Sequence, residues 1–196
     1  MQRIGIYGGT FDPPHMAHLR IAEEAREQFD LDCVFFVPNR QPVHRGSAAA
    51  DAEDRYAMLI LATADNPAFR VSRDEIDRPA PSYSIDTVSL FRQRYPNAEL
   101  YFIAGADEVA MLHTWKDADR LLSLCRFLAA PRRLEDVSVA PPRPGILPIQ
   151  MDPLPMSSTE IRRRIALGRS VRYQMPDAVL RYIMSRGLYR ILEESA

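Results

Sequence analysis

The stretch 8–18, GGTFDPPHMAH, joins a short apolar run of residues to a longer amphipathic one. Residues 3–7 are mostly apolar and β-prone, which predicts a buried strand. After the stretch, apolar residues recur at every third or fourth position, which predicts a helix with one buried face. Those residues are Met16, Leu19, Ala22, Ala25 and Phe29. The stretch is therefore predicted to be the turn between the first strand and the first helix.

A turn of this kind suits an anionic ligand. In a parallel sheet it lies at the carboxyl end of a strand and faces a helix N-terminus, where unpaired N–H groups and the helix dipole favour anions. Gly8 and Gly9 let a ligand approach the backbone, and Thr10 adds a hydroxyl. His15 and His18 are three apart and can face one ligand. The alternatives are an ordinary glycine turn with a surface histidine pair, or half of a metal site that lacks a third ligand.

Strands and helices alternate along the rest of the chain. Further apolar, β-prone runs predict strands at residues 33–37, 69–72, 100–104, 126–130 and 146–151. This order predicts an α/β fold, with a Rossmann-like, doubly wound, mostly parallel sheet of five to six strands and a small C-terminal helical region. We expect a single domain over residues 1–196, with the core at 1–155 and the C-terminal helices at 156–196.

The predicted helices each bury one face. In the helix at 51–64, that face is expected to hold Tyr56, Leu59, Ile60 and Thr63. In the last helix, which starts near Pro176, it is expected to hold Val179, Ile183 and Met184. Ser84 is expected to cap the helix that follows the third strand.

The composition is that of an ordinary soluble globular protein, with 46% hydrophobic and 26% charged residues. The formal net charge of −1 gives no overall attraction to nucleic acid or to a membrane, so neither is expected as a partner. Cys33 and Cys125 fall in apolar runs, which favours buried thiols in a reducing compartment. The first residues lack the charged-then-apolar pattern of a secretory leader, so none is expected, and the longest apolar run, 57–62, is too short to cross a bilayer. We expect a cytoplasmic protein, and the sequence is compatible with a homo-oligomer.

Other polar segments follow the predicted strands or open a helix. They are the loop 39–45, the segment Gly105–Asp107 and the helix start Ser157–Arg162. Right-handed crossovers bring the carboxyl ends of parallel strands to one edge of the sheet. The convergence of these segments with the first turn predicts a single active cleft at that edge.

A cluster of hydroxyl residues, Ser157, Ser158 and Thr159, opens the first C-terminal helix. Arg162 lies one turn inside this helix, so its side chain can reach back to the N-terminus and bind an anion. An exposed basic face is the alternative interpretation, because two more arginines follow directly.

Three residues of the strand-end loops have two interpretations each. Trp115, the only tryptophan, could stack on a planar ring or pack in the core. Asp107 could bind a ribose hydroxyl or be a surface carboxylate. Arg45 could bind phosphate or be solvated.

Two motifs resemble those of the nucleotidyltransferase superfamily. Residues 8–18 resemble its GGTFDPxHxGH signature, and residues 157–162, SSTEIR, resemble its ISSTxIR motif. Shorter matches resemble the bacterial nicotinate mononucleotide adenylyltransferases and extend the resemblance over essentially the whole chain. They are VPN at 37–39, PVHR at 42–45, SYSIDT at 82–87, GAD at 105–107, TW at 114–115, MP at 175–176 and GLYR at 187–190.

The resemblance implies an enzyme that transfers AMP from ATP to nicotinate mononucleotide, giving deamido-NAD and pyrophosphate in NAD biosynthesis. The mononucleotide phosphate would attack the α-phosphorus of ATP in line, without a covalent enzyme intermediate. Mg²⁺ would be bound through the ATP phosphates and by no protein side chain. His15, His18 and Arg162 would be the catalytic residues, with the histidines stabilising the transition state.

The same resemblance implies two sets of ligand contacts. ATP would be bound by Gly8, Gly9, Thr10, Phe11, Arg45, Gly105, Asp107, Ser157, Ser158 and Thr159. Nicotinate mononucleotide would be bound by Asn39, Tyr83, Thr87 and Trp115, with the pyridine ring stacked on the indole.

Ala17 stands where the family pattern has glycine, so a methyl group is expected near the bound adenine or ribose. A phosphopantetheine adenylyltransferase or a cytidylyltransferase would share both motifs, although Thr87 and Trp115 favour a pyridine mononucleotide. A nucleotide-binding regulator without catalysis is the alternative from another class, and Ala17 is the residue that suggests it.

Overall fold

The computed structural model describes residues 1–41, 48–79, 81–131 and 144–190. The strands in these residues are β1 (Arg3–Gly9), β2 (Cys33–Pro38), β3 (Phe69–Val71), β4 (Glu99–Gly105), β5 (Arg126–Ala130) and β6 (Ile146–Pro148). All described pairings are parallel, and the strands form one sheet in the order β3-β2-β1-β4-β5-β6. The predicted Rossmann-like α/β fold is confirmed.

Helices cover both faces of the sheet. They are α1 (Met16–Gln28), α2 (Ala52–Thr63), α3 (Ser84–Arg94), α4 (Ala106–Ala110), α5 (Ala118–Leu124), α6 (Ser158–Ala166) and α7 (Asp177–Arg186), with a short 3₁₀ helix at Leu112–Thr114. Successive residues of β2 enter opposite cores: Phe35 packs in the cluster that contains Phe91 of α3, and Phe36 packs in the cluster that contains Leu59 of α2. A strand buried on both faces needs the continuous apolar run that β2 has.

The carboxyl ends of the central strands meet at one edge of the sheet. Gly9, the last residue of β1, is paired with Pro38 at the end of β2, and Gly105 at the end of β4 is paired with Ala130 of β5. The loops that follow these strands therefore start at this edge, where the sequence predicted a cleft.

The predicted inner faces of two helices are partly wrong. Ile60 and Met184 are exposed, at 43% and 42%, whereas Arg55 and Met58 are fully buried. The physical reason for α2 is that it packs against the sheet on one side and against α7 on the other, so its buried surface is wider than one apolar stripe.

Several element boundaries also differ from the predictions: β1 runs to Gly9, so Gly8 and Gly9 belong to the strand and not to the predicted turn, and β3 and β4 differ by one residue at their ends. β6 ends at Pro148 instead of residue 151, because its partner β5 ends at Ala130. Tyr83, in extended conformation, is the N-cap of α3, and Ser84 is the first residue inside the helix.

The C-terminal helices pack on α2. Met58 of α2, Ile161 and Ile165 of α6, and Val179 and Ile183 of α7 lie in one buried apolar cluster. This packing fixes the N-terminus of α6 next to the turn that follows β1. Among the described helices, none combines the length and the apolar content needed to cross a bilayer.

Candidate active site

A cavity of about 810 Å³ opens at the carboxyl edge of the sheet, between the turn after β1 and the start of α6. It brings together most of the residues that the sequence assigned to phosphate and nucleotide binding. Those in its lining are Gly8, Gly9, Thr10, Phe11, His15, His18, Asn39, Gly105, Ser157, Ser158, Thr159 and Arg162. The predicted convergence of distant segments on one cleft is thus observed.

His15 and His18 are positioned by the first turn of α1. His15 is the N-cap, and its backbone N–H donates to Nδ1 of His18 at 3.1 Å, the position that a glutamate takes in a capping box. The two imidazoles stack with their centroids 3.7 Å apart. Because Nδ1 of His18 accepts a hydrogen bond, the proton of the neutral ring is on Nε2, which can therefore donate to a ligand.

Phe11 packs against His18 of this pair. It has a left-handed backbone conformation, with φ of 50°, and its ring lies edge-on to His18 at 5.1 Å. A Cβ atom at Gly9 would lie 2.9 Å from the Phe11 ring, and one at Gly8 would lie 3.0 Å from Phe102. The glycines are therefore required by packing against aromatic rings, in addition to any close approach by a ligand.

The start of α6 is joined to the turn after β1 by two long-range hydrogen bonds. Ser158 Oγ donates to the carbonyl of Pro13 at 2.9 Å. Arg162 Nη1 donates to the carbonyl of Asp12 at 2.6 Å, and its Nη2 lies 3.4 Å from Thr159 Oγ1. Ser157 caps the helix by accepting from a backbone N–H. Two motifs that are far apart in the sequence thus form one surface.

Ala17 lies in the lining of the cavity, and only 5% of it is exposed. Its nearness to bound adenine or ribose stays a prediction. Asp107 is exposed on α4 and lies outside the lining, although its neighbour Glu108 is part of it. Arg45 lies outside the described residues.

The residues assigned to the pyridine ring, apart from Asn39, are not in the cavity lining. Trp115 is half-buried, with its indole edge-on to Phe102 at 5.9 Å and to Phe127 at 6.0 Å. Tyr83 lies beneath Lys116, whose Nζ is 4.5 Å from the ring centroid. Ligand contacts by Trp115 and Tyr83 stay predictions.

Thr87 is fully buried. Its hydroxyl donates to Glu75 Oε1 at 2.5 Å and accepts from Arg78 Nη2 at 2.8 Å. Burial raises the pKa of the Glu75 carboxyl. The hydroxyl of Thr87 therefore holds together the segments before and after residue 80, and its contact with a ligand stays a prediction.

Comparison with known proteins identifies the family. Residues 6–164 match the family model described as cytidylyltransferase-like. The chain belongs to the cytidylyltransferase-like family. Full-length relatives carry the name "probable nicotinate-nucleotide adenylyltransferase": one from Moorella thermoacetica is 49% identical, with 96% of this chain and 92% of that protein covered. One from Thermus thermophilus is 46% identical, with 96% and 100% covered.

Solved structures agree on the fold of this cytidylyltransferase-like chain. The nicotinic acid mononucleotide adenylyltransferase of Plasmodium falciparum, complexed with NaAD, superposes with a TM-score of 0.79 at 18% identity. That match covers 96% of this chain and 98% of the other. The resemblance drawn from the motifs is confirmed at the level of the family and the fold.

The site also contains a buried arginine that the sequence motifs did not predict. Arg55 of α2 is fully buried and donates to the carbonyls of Thr10 at 2.8 Å and Asn39 at 2.7 Å. Asn39 in turn donates to Thr10 Oγ1 at 3.2 Å. Burial lowers the pKa of the Arg55 guanidinium, which the charge of Asp12 partly offsets. The sequence did contain one signal of this burial: Arg55 lies four residues before Leu59, and therefore on the same, buried side of α2.

Asp12 is the second buried charged residue at the site for which the sequence predicted no role. Its carboxylate is 4% exposed and lies in the cavity lining. It accepts from the backbone N–H groups of Ala49 at 2.7 Å and Ala50 at 3.2 Å. No group of three or more His, Cys, Asp or Glu residues in the described part of the chain is arranged to hold a metal ion.

Proposed function

We propose that this protein transfers AMP from ATP to nicotinate mononucleotide, releasing pyrophosphate and forming deamido-NAD in NAD biosynthesis. The observation that carries the proposal is the hydrogen bond of 2.6 Å between Arg162 and the carbonyl of Asp12. It joins the histidine turn to the α6 start, so that imidazoles, a guanidinium and helix N–H groups face one cavity. The activity named for the full-length relatives supports the same reaction.

The chemistry needs no nucleophile from the protein. A phosphate oxygen of the mononucleotide forms a bond to the α-phosphorus of ATP as the bond from that phosphorus to the bridging oxygen breaks, and the electron pair leaves with pyrophosphate. Catalysis then consists of alignment and of stabilising the charge that develops on the phosphoryl oxygens. The Nε2–H of His18 and the guanidinium of Arg162 are donors for this charge, with the N–H groups at the start of α6 beside them.

ATP is taken as its magnesium complex, so Mg²⁺ enters as part of the substrate. The metal neutralises phosphate charge and polarises the α-phosphoryl group. The protein groups proposed here donate hydrogen bonds to the phosphate oxygens that Mg²⁺ does not bind. Arg45 is proposed to bind the same triphosphate.

The second substrate is proposed to lie on the side of Tyr83 and Trp115. The pyridine ring would stack on the indole of Trp115, with Asn39 and Thr87 completing the binding region. Gly105 and Asp107 are proposed to bind the adenosine ribose. A cytoplasmic location is proposed on the basis of Cys33 and Cys125, which are buried free thiols.

A substrate panel tests this function. Pyrophosphate release is measured with ATP and Mg²⁺ together with nicotinate mononucleotide, its amide, or phosphopantetheine, and with CTP in place of ATP. We expect turnover with ATP and nicotinate mononucleotide, and its collapse in His18→Ala. Turnover with phosphopantetheine or CTP instead would indicate another activity of the superfamily. ATP binding without turnover on any partner would support a nucleotide-binding regulator.

A further inference from the structure

The carboxylate of Asp12 is a junction between the histidine turn and the C-terminal segment. Besides the N–H groups of Ala49 and Ala50, it accepts the hydroxyl of Tyr189, which lies 2.6 Å from Oδ1. Arg162 Nη1, bonded to the carbonyl of the same residue, lies 3.9 Å from Oδ2. A tyrosine 177 residues away along the chain therefore contacts the side chain of the residue whose backbone carbonyl accepts from Arg162.

The backbone after α7 directs Tyr189 to this place. Gly187 ends the helix with φ of 64°, and the N–H of Leu188 donates to the carbonyl of Ile183 at 3.1 Å. Tyr189 is itself left-handed, with φ of 63°, a conformation that large side chains rarely adopt. Burial and the charge of Asp12 raise the pKa of Tyr189, so its phenol stays protonated and is the donor.

We propose that Tyr189 is a positioning residue whose hydroxyl holds the Asp12 carboxylate on the Ala49 and Ala50 amides, and so keeps Arg162 directed at the triphosphate of ATP. The proposal deepens the proposed function and rests on it for the identity of the ligand. It adds the C-terminal segment to the determinants of ATP binding.

The positions of the two arginines near Asp12 give the physical reason. The guanidinium of Arg55 already donates to four backbone carbonyls, so it is not available to the Asp12 carboxylate. Arg162 is 29% exposed in its side chain and needs to move only about 1 Å to form a charge-assisted hydrogen bond with Oδ2. Without the phenol, the buried carboxylate lacks one donor, and Arg162 is the group that can replace it. An arginine bound to this carboxylate is withdrawn from phosphate.

The test compares two tyrosines that each donate to a buried carboxylate. Tyr189→Phe removes the bond to Asp12, and the control Tyr182→Phe removes a bond of 2.7 Å to Asp54, which lies outside the cavity lining. Affinity for ATP with Mg²⁺ is measured by calorimetry without a second substrate. We expect about a tenfold loss in Tyr189→Phe and less than about a twofold change in Tyr182→Phe, with similar shifts in melting temperature.

A double-mutant cycle shows whether the effect passes through Arg162. In an Arg162→Lys background, Tyr189→Phe is expected to weaken ATP binding by less than about threefold. Lysine cannot make the two parallel hydrogen bonds of a guanidinium, so Tyr189→Phe has no such contact with ATP to disrupt. Full additivity, an unchanged affinity in Tyr189→Phe, or equal losses in both tyrosine variants would overturn the proposal. Because no mononucleotide is present, a protein that binds ATP but fails the substrate panel contradicts the proposed function alone.

Discussion

The phosphate side of the site (His15, His18 and Ser157–Arg162) differs from the pyridine side (Tyr83, Thr87 and Trp115) in how its groups are held. On the phosphate side, helix starts position donors that already line the cavity, joined by the bond between Arg162 and Asp12. On the pyridine side, the indole packs against core phenylalanines and the threonine hydroxyl is occupied by protein partners.

From this difference we infer how each substrate would be bound. Donors fixed before the ligand arrives stabilise charge without reorganisation, so the phosphate side should govern the rate of the chemical step. The half-buried indole already packs against Phe102 and Phe127, so a ligand would use only the part of the ring that they leave exposed. We therefore expect changes on the pyridine side to alter the KM for nicotinate mononucleotide more than kcat.

The largest effect is expected on the phosphate side for His18→Ala. Loss of one donor to the developing charge should lower kcat/KM by about 10²–10³-fold. Pyrophosphate release gives the rate, and thermal unfolding shows that the fold is intact. His113→Ala, a histidine that is exposed and outside the cavity lining, is the matched control. A loss below about fivefold in His18→Ala would contradict a catalytic role.

Arg162→Lys should follow, with kcat/KM for ATP lowered about 10–100-fold, because lysine keeps the charge but cannot make the forked contact of a guanidinium. In this protein that contact reaches the Asp12 carbonyl and Thr159. Arg163→Lys is the control, because Arg163 is exposed and paired with Glu160. Equal losses in the two variants would contradict a specific role for the guanidinium of Arg162.

On the pyridine side, Trp115→Ala should raise the KM for nicotinate mononucleotide about 5–50-fold through lost stacking and leave the KM for ATP unchanged. Two-substrate steady-state kinetics separate the two values. Trp115→Phe should recover part of the affinity, since it keeps an aromatic face. An equal rise in both KM values would show that the indole supports the fold of the whole site.

The smallest effect is expected for Ala17→Gly, which removes the methyl group from the cavity lining. The KM for ATP should fall a few-fold as the approach to α1 widens. Glycine in the first turn of the helix should cost about 1 kcal/mol and lower the melting temperature by about 2–4 °C. Both quantities come from one preparation of the variant, and an increase in the KM for ATP would contradict the steric interpretation.

The sequence predicted that the residues of the phosphate side converge on one cavity, because the spacing within each motif is local. His15 and His18 are three residues apart and Ser157 and Arg162 are five, so each pair lies within about one and a half helical turns. The parallel sheet then brings both helix starts to one edge. The strand pattern itself depends on apolar runs such as β2, which are visible without any tertiary information.

What the sequence did not reveal depends on contacts between distant segments. Arg55 is a charged residue on a buried face, and nothing local indicates that backbone carbonyls of two loops will satisfy it. The contact of Tyr189 with Asp12 requires the left-handed turn after Gly187 to direct the ring. The burial of Thr87 under Glu75 and Arg78 likewise follows from the packing of a loop and not from a motif.

Trp115 is the only tryptophan of the chain, and its fluorescence therefore reports on the pyridine side alone. Titration of the His18→Ala variant, in which turnover is expected to be slowed about 10²–10³-fold, with nicotinate mononucleotide in the presence of ATP and Mg²⁺ tests the division of the site directly. We predict saturable quenching by the mononucleotide and little change with ATP and Mg²⁺ alone. Quenching by ATP of equal size, or no response to the mononucleotide, would contradict the assignment of the two sides.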